Sequence, residues 1–262
     1  MWAPDVYDGS PNIVTAFFAI VPKIATIGLF INLIFYVLAG AVETVQIVLI
    51  ASIITSLLVG SIAALNQTKL KRLIAYSAIS HVGFMLLGLL PNTPDAFQAT
   101  IIYNIIYIIM GLVTFIILLS NLKITSYITE LSGLARKNYV LAVTFAITLF
   151  SIAGLPPLAG FFIKYLVIVE TIGAKYYMLA IIAILCSSIA AVYYIRIIKW
   201  MFFKDNADYN YKDLGDIAKP VTVITLENSI ILGACLFIIL TFLFYPTFIT
   251  EILTQCIESS LL

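Results

Sequence analysis

The sequence predicts an all-α polytopic membrane protein of about seven transmembrane helices, one of them broken between Gly154 and Lys164. Three observations carry this. Hydrophobic residues make up 63% of the 262-residue chain and charged residues only 10%, with a mean hydropathy of +1.12. A soluble domain carries about 25% charged residues. Seven apolar stretches are long enough to cross a bilayer. The basic residues between them fall almost wholly on alternate loops.

The predicted spans are Val14–Leu38, Val45–Leu65, Leu73–Leu90, Ala96–Leu122, Tyr139–Val169, Tyr176–Ile195 and Asn228–Ile249. A polar, turn-rich start (MWAPDVYDGSP) precedes the first and has no signal-peptide pattern. Most spans are apolar all round, as expected for helices in lipid or inside a bundle. The third is the most polar, with Tyr76, Ser77, Ser80 and His81. The fifth is too long for one straight crossing, and Gly154-Leu155-Pro156-Pro157 supplies a break within it. Asp205–Lys219 forms the one long polar loop.

Seven spans place alternate loops on opposite sides of the membrane. One side holds eleven basic residues: Lys69, Lys71, Arg72, Lys123, Arg136, Lys137, Arg196, Lys199, Lys204, Lys212 and Lys219. The other side holds Lys175 alone. The positive-inside rule then puts the N-terminus on the cytoplasmic or matrix side and the C-terminus opposite. The net charge of +1 excludes no partner by itself, but nucleic-acid binding needs a basic face that these short loops do not build.

Two of the fourteen basic residues remain, Lys23 and Lys164, and both fall at membrane depth. Each follows a helix-breaking residue, Pro22 or Gly154–Pro157. Both stand too far from the span ends for easy snorkelling. An ionisable group at that depth marks a functional site by default. Removing a lysine from water strips its charged form of hydration, which brings proton exchange within reach near neutral pH. His81, the one histidine, titrates in that range and sits among Tyr76, Ser77 and Ser80. It reads either as a satisfied interior histidine or as a step on the same polar path. Glu43, Glu170 and Glu227 lie at span edges and read as interfacial. The three cysteines, Cys186, Cys235 and Cys256, are too scattered for a disulfide framework or metal site. No phosphate loop, iron–sulfur spacing or haem pattern is present in the sequence, so no cofactor is expected in this chain.

Three stretches carry a family. Trp2–Ala25 (WAPDVYDGSPNIVTAFFAIVPKIA), Leu65–Gly88 (LNQTKLKRLIAYSAISHVGFMLLG) and Gly154–Glu170 (GLPPLAGFFIKYLVIVE) resemble signature stretches of the antiporter-like membrane subunits of respiratory complex I. Within that family they are most similar to the subunit-N-like branch. The resemblance implies two inverted five-helix repeats, each with one broken helix, a general transporter device. It implies a role as a subunit of proton-translocating NADH:ubiquinone reductase in the mitochondrial inner membrane. NADH, FMN, iron–sulfur clusters and ubiquinone would be bound by other subunits. It also assigns a proton relay: Lys23 links two half-channels, Lys164 stands on the broken helix of the second repeat, and Lys71 and His81 match a loop lysine and a histidine of the family.

The family pattern has about seven helices before the WAPDVY stretch. The expectation is therefore a C-terminal half, either because the gene is split and a separate chain supplies the first half together with a glutamate and a lysine, or because the sequence is truncated. Residues 1–65 would hold the end of the first repeat and the first helix of the second. Residues 66–204 would complete the second repeat, and 205–262 would give the polar loop and a last transmembrane helix. Two alternatives stand beside proton translocation. One is a subunit of a multi-subunit cation/proton antiporter, and the other is a non-conducting structural subunit of the membrane arm.

Overall fold

A computed structural model describes residues 2–37, 42–120, 127–203 and 225–242, together with residues 246 and 251. The polar loop predicted over Asp205–Lys219 lies outside these residues, as do Lys123, Lys204 and Cys256. The described chain is helical: α1 (Ala3–Gly9), α2 (Asn12–Asn32), α3 (Val42–Leu65), α4 (Leu70–Leu89), α5 (Pro94–Ser120), α6 (Leu134–Lys137), α7 (Tyr139–Ala153), α8 (Ala159–Gly173), α9 (Tyr177–Phe203) and α10 (Leu226–Thr241). Among the described residues, α2, α3, α4, α5 and α9 are long and apolar enough to cross a membrane.

Within the described residues the predicted spans are helical, with three adjustments; residues 38, 121–122, 243–245 and 247–249 of those spans lie outside the described residues. Helix α2 runs through Pro22 without interruption, so the irregularity expected beside Lys23 is not a break. Proline there removes one backbone donor and leaves the Phe18 carbonyl without its usual partner. A π-helical turn over Leu33–Val37 follows the end of α2 instead. Helix α9 continues to Phe203, two turns past the predicted end, so Arg196 and Lys199 are helical rather than in a loop. The fifth span is two 15-residue helices, α7 and α8, separated by residues 154–158.

Helices α4 and α5 are the most enclosed, while α2 and α9 keep broad apolar surfaces exposed. Small residues set the closest approach. Along α3, Ser52, Ser56, Gly60 and Ala64 recur every fourth position and so share one face. A Cβ at Gly60 would lie 2.6 Å from the Ser80 backbone nitrogen, and one at Gly83 would lie 2.7 Å from the Ser56 hydroxyl. Backbones therefore meet at this crossing, as small-xxx-small seams allow in membranes.

The basic residues near Asn66–Arg72 are structural pins. Lys71 and Arg72 stand in the first turn of α4, where the helix dipole disfavours cations. Acidic residues of α1 offset this. Lys69 Nζ bonds Asp8 at 2.8 Å, and Arg72 pairs with both Asp5 and Asp8. Lys71 Nζ donates to the Ser10 carbonyl at 2.8 Å. On α9, the Arg196 guanidinium donates to the carbonyls of Leu65 and Gln67. Tyr7 is buried against this corner, and burial pushes its phenol up to about 12, so it stays protonated at physiological pH.

Candidate functional site

The site begins at the break between α7 and α8. Gly154 adopts a left-handed conformation (φ 88°), which a residue without Cβ takes at no steric cost. This closes α7 in a Schellman motif. Leu155 N–H bonds the Phe150 carbonyl at 3.1 Å, and Gly154 N–H bonds the Ser151 carbonyl at 2.9 Å. A helix end leaves four carbonyls unpartnered, and these bonds satisfy two. Lys164 satisfies the others: its Nζ donates to Ile152 O at 3.1 Å and Ala153 O at 2.7 Å. Its side chain points back toward the start of α8, as helical side chains do, and so reaches the preceding helix. A cation at a helix C-terminus is also favoured by the macrodipole.

The start of α8 is fixed as closely. Ser151 Oγ accepts from the Gly160 N–H at 3.1 Å, so α7 caps α8 with a side chain. A Cβ at Gly160 would lie 1.7 Å from the Ser151 carbonyl oxygen. Only glycine lets the two helix ends cross this closely. Lys164 is buried, with 6% exposure, and is partnered by carbonyls rather than by a carboxylate among the described residues.

His81 occupies the middle of the bundle, 4% exposed. Its Nδ1 shares a 2.7 Å hydrogen bond with the Tyr103 hydroxyl, and its ring centroid lies 4.9 Å from that of Tyr107. Tyr103 and Tyr107 are one turn apart on α5 and present both phenols to α4. Lys23, on α2, donates to the Tyr107 hydroxyl at 2.8 Å, and its Nζ lies 4.3 Å from that ring's centroid. Lys164 Nζ lies 5.4 Å from the centroid of the Phe84 ring, which stacks on Tyr103. One turn before it, Ser77 hydrogen-bonds Tyr194 of α9, whose ring packs on Tyr193.

Three of the four sequence-predicted residues thus converge: Lys23, His81 and Lys164. Lys71 does not. It bonds a loop carbonyl at the start of α4, ten residues and so about 15 Å along the helix from His81. The sequence reading missed Tyr103, Tyr107 and Tyr194. Tyrosine is common in this chain, and only the helix pairing separates these three from the other twelve. The Tyr103–Tyr107 spacing was the one available signal.

The bundle combines a membrane helix broken between α7 and α8, a carbonyl-capped lysine and buried polar side chains. The sequence profile of the family NADH:quinone oxidoreductase/Mrp antiporter, transmembrane region, matches residues 1–190, and the chain belongs to this family. The chain is 39% identical to NADH-ubiquinone oxidoreductase chain 2 of Metridium senile over 254 residues, covering 96% of this chain and 63% of that protein. It is 39% identical to NADH-quinone oxidoreductase subunit N of Pelagibacter ubique, covering 97% of this chain and 53% of the relative. Among solved structures, a chain of respiratory complex I from Thermus thermophilus with bound aureothin superposes with a TM-score of 0.79 at 28% identity. That match covers 95% of this chain and 53% of the other. A chain of the Mrp complex from Dietzia sp. gives a TM-score of 0.85 at 19% identity, covering 98% of this chain and 55% of the other, a likeness of fold. The chain spans about half to three-fifths of the length of these relatives.

Proposed function

We propose that the chain is a membrane-arm subunit of a proton-translocating NADH:quinone oxidoreductase and carries protons along Lys23, Tyr107, His81, Tyr103 and Lys164. The supporting observation is the convergence on His81, an imidazole bonded to Tyr103 and against the ring that holds Lys23, with Lys164 over the Phe84 ring that stacks on Tyr103. Cations at this depth are costly, and two of them facing one titratable ring suit a switchable proton path better than a scaffold. The redox groups and the quinone would be carried by other subunits of the complex. The remaining half of the subunit, in the same or a second polypeptide, would contribute the acidic and basic groups that face Lys23. The membrane would be the mitochondrial inner membrane or its bacterial counterpart, with the Lys69–Arg72 side on the matrix or cytoplasmic face. Lys71 would serve as a pin at the mouth of the path rather than as a step inside it.

Each relay residue moves a proton without bond rearrangement elsewhere. An ammonium gives its proton to the next hydroxyl, nitrogen or water and takes another from the side before it. The test is the assembled complex carrying Lys164→Met or Lys23→Met. Both are expected to retain quinone reduction while the proton-to-electron ratio falls. A normal ratio in a fully assembled Lys164→Met complex rules the relay out. Sodium-driven proton movement in the same vesicles would favour the antiporter reading instead.

A further inference from the structure

The polar path has a gap beside Lys164, and a side chain occupies it. Lys23, Tyr107, His81 and Tyr103 are joined by hydrogen bonds and direct ring contact. Lys164 joins none of them by a hydrogen bond, because its ammonium is held by Ile152 O and Ala153 O. The neighbour common to the two parts is Phe84. Its ring stacks on Tyr103 with centroids 6.1 Å apart and planes 12° apart, and Lys164 Nζ lies over it, 5.4 Å from its centroid. Phe84 is one turn beyond His81 on the same face of α4 and is 1% exposed. A benzene ring attracts the ammonium but neither donates nor accepts a proton. A proton leaving Lys164 for the Tyr103–His81 pair needs a water where the ring stands.

We infer that Phe84 is the positioning residue that holds the path shut between Lys164 and the Tyr103–His81 pair, and that proton passage between them requires its ring to turn aside and admit water. The step conserves every proton. The Lys164 ammonium releases one to the admitted water, which passes one to the imidazole, leaving a neutral amine and an imidazolium. The ring's return then blocks the reverse transfer. This rests on the relay proposed above.

The test uses the whole complex in liposomes, with passive decay of an imposed pH gradient measured in the idle enzyme and the proton-to-electron ratio measured during turnover. Phe84→Tyr places a hydroxyl in the gap and is expected to raise the idle proton leak severalfold and lower the ratio. Phe84→Leu keeps an apolar plug and is expected to stay tight. In Phe84→Tyr/Lys164→Met the leak is expected to vanish, since the proton has no amine to reach. If Phe84→Tyr and Phe84→Leu are equally tight, or equally leaky, Phe84 is packing and the inference fails. The relay itself fails separately, through a normal ratio in Lys164→Met with Phe84 intact.

Discussion

Lys164 illustrates how one side chain can be both a structural cap and a candidate carrier. Its two carbonyl bonds complete the end of α7, and losing them leaves two buried acceptors unpaired, roughly 1–3 kcal/mol for each. Lys164→Met also relieves the burial of a lone cation, which offsets much of that loss. The expected result is an assembled complex with modestly reduced thermal stability in detergent and impaired pumping. Tyr107→Phe is milder: it removes the hydroxyl that accepts from Lys23 and keeps the ring. A partial fall in the proton-to-electron ratio is expected, while Tyr139→Phe, on an exposed side chain, should change nothing. The lysines were legible in the sequence because charge at membrane depth is rare. The tyrosines were not, because an amphipathic ring is ordinary in a membrane helix and its meaning depends on which helix it faces.

At the scale of the element, the break between α7 and α8 was visible as glycine and proline inside an apolar run. What was not visible is that the two halves cap one another. Ser151 serves α8 and Lys164 serves α7, so the pair behaves as a clasp rather than a gap. Gly160→Ala would push a methyl group into the Ser151 carbonyl. A loss of about 3 kcal/mol is expected, enough to lower the melting temperature of the purified complex or prevent its assembly. Ser151→Ala removes one capping acceptor and should cost about 1 kcal/mol, measured the same way. Gly60→Ala is the matching test of the α3–α4 crossing, where a Cβ would meet backbone at 2.6 Å, and overpacking of similar size is expected. By contrast, Pro22 misled. It reads as a helix breaker, but one proline in a long apolar helix costs a single backbone bond, and α2 continues past it.

For the whole molecule, the alternation of basic loops predicts which side each turn faces. A cysteine placed at Gln67 and one placed at Lys175 should react with a membrane-impermeant thiol reagent from opposite faces of a sealed vesicle. Labelling of both from one face would overturn the span count. The span count itself was legible, since each crossing needs about 20 apolar residues and few other arrangements fit. The extent of α9 was not, because Arg196 and Lys199 look like loop residues, and only the carbonyl partners of Arg196 on the α3–α4 turn explain a charged helix end.

The clamp between α1 and α4 also dictates an order of events during biogenesis. Asp8 meets Lys69 across 61 positions of sequence, and Asp5 meets Arg72 across 67. When α1 leaves the ribosome its partners have not been made. The α1 segment must therefore wait until two later helices are threaded and the basic start of α4 arrives. Docking of α1 becomes a checkpoint on completed insertion, readable as late-onset protection of the α1 segment from protease in a timed synthesis reaction.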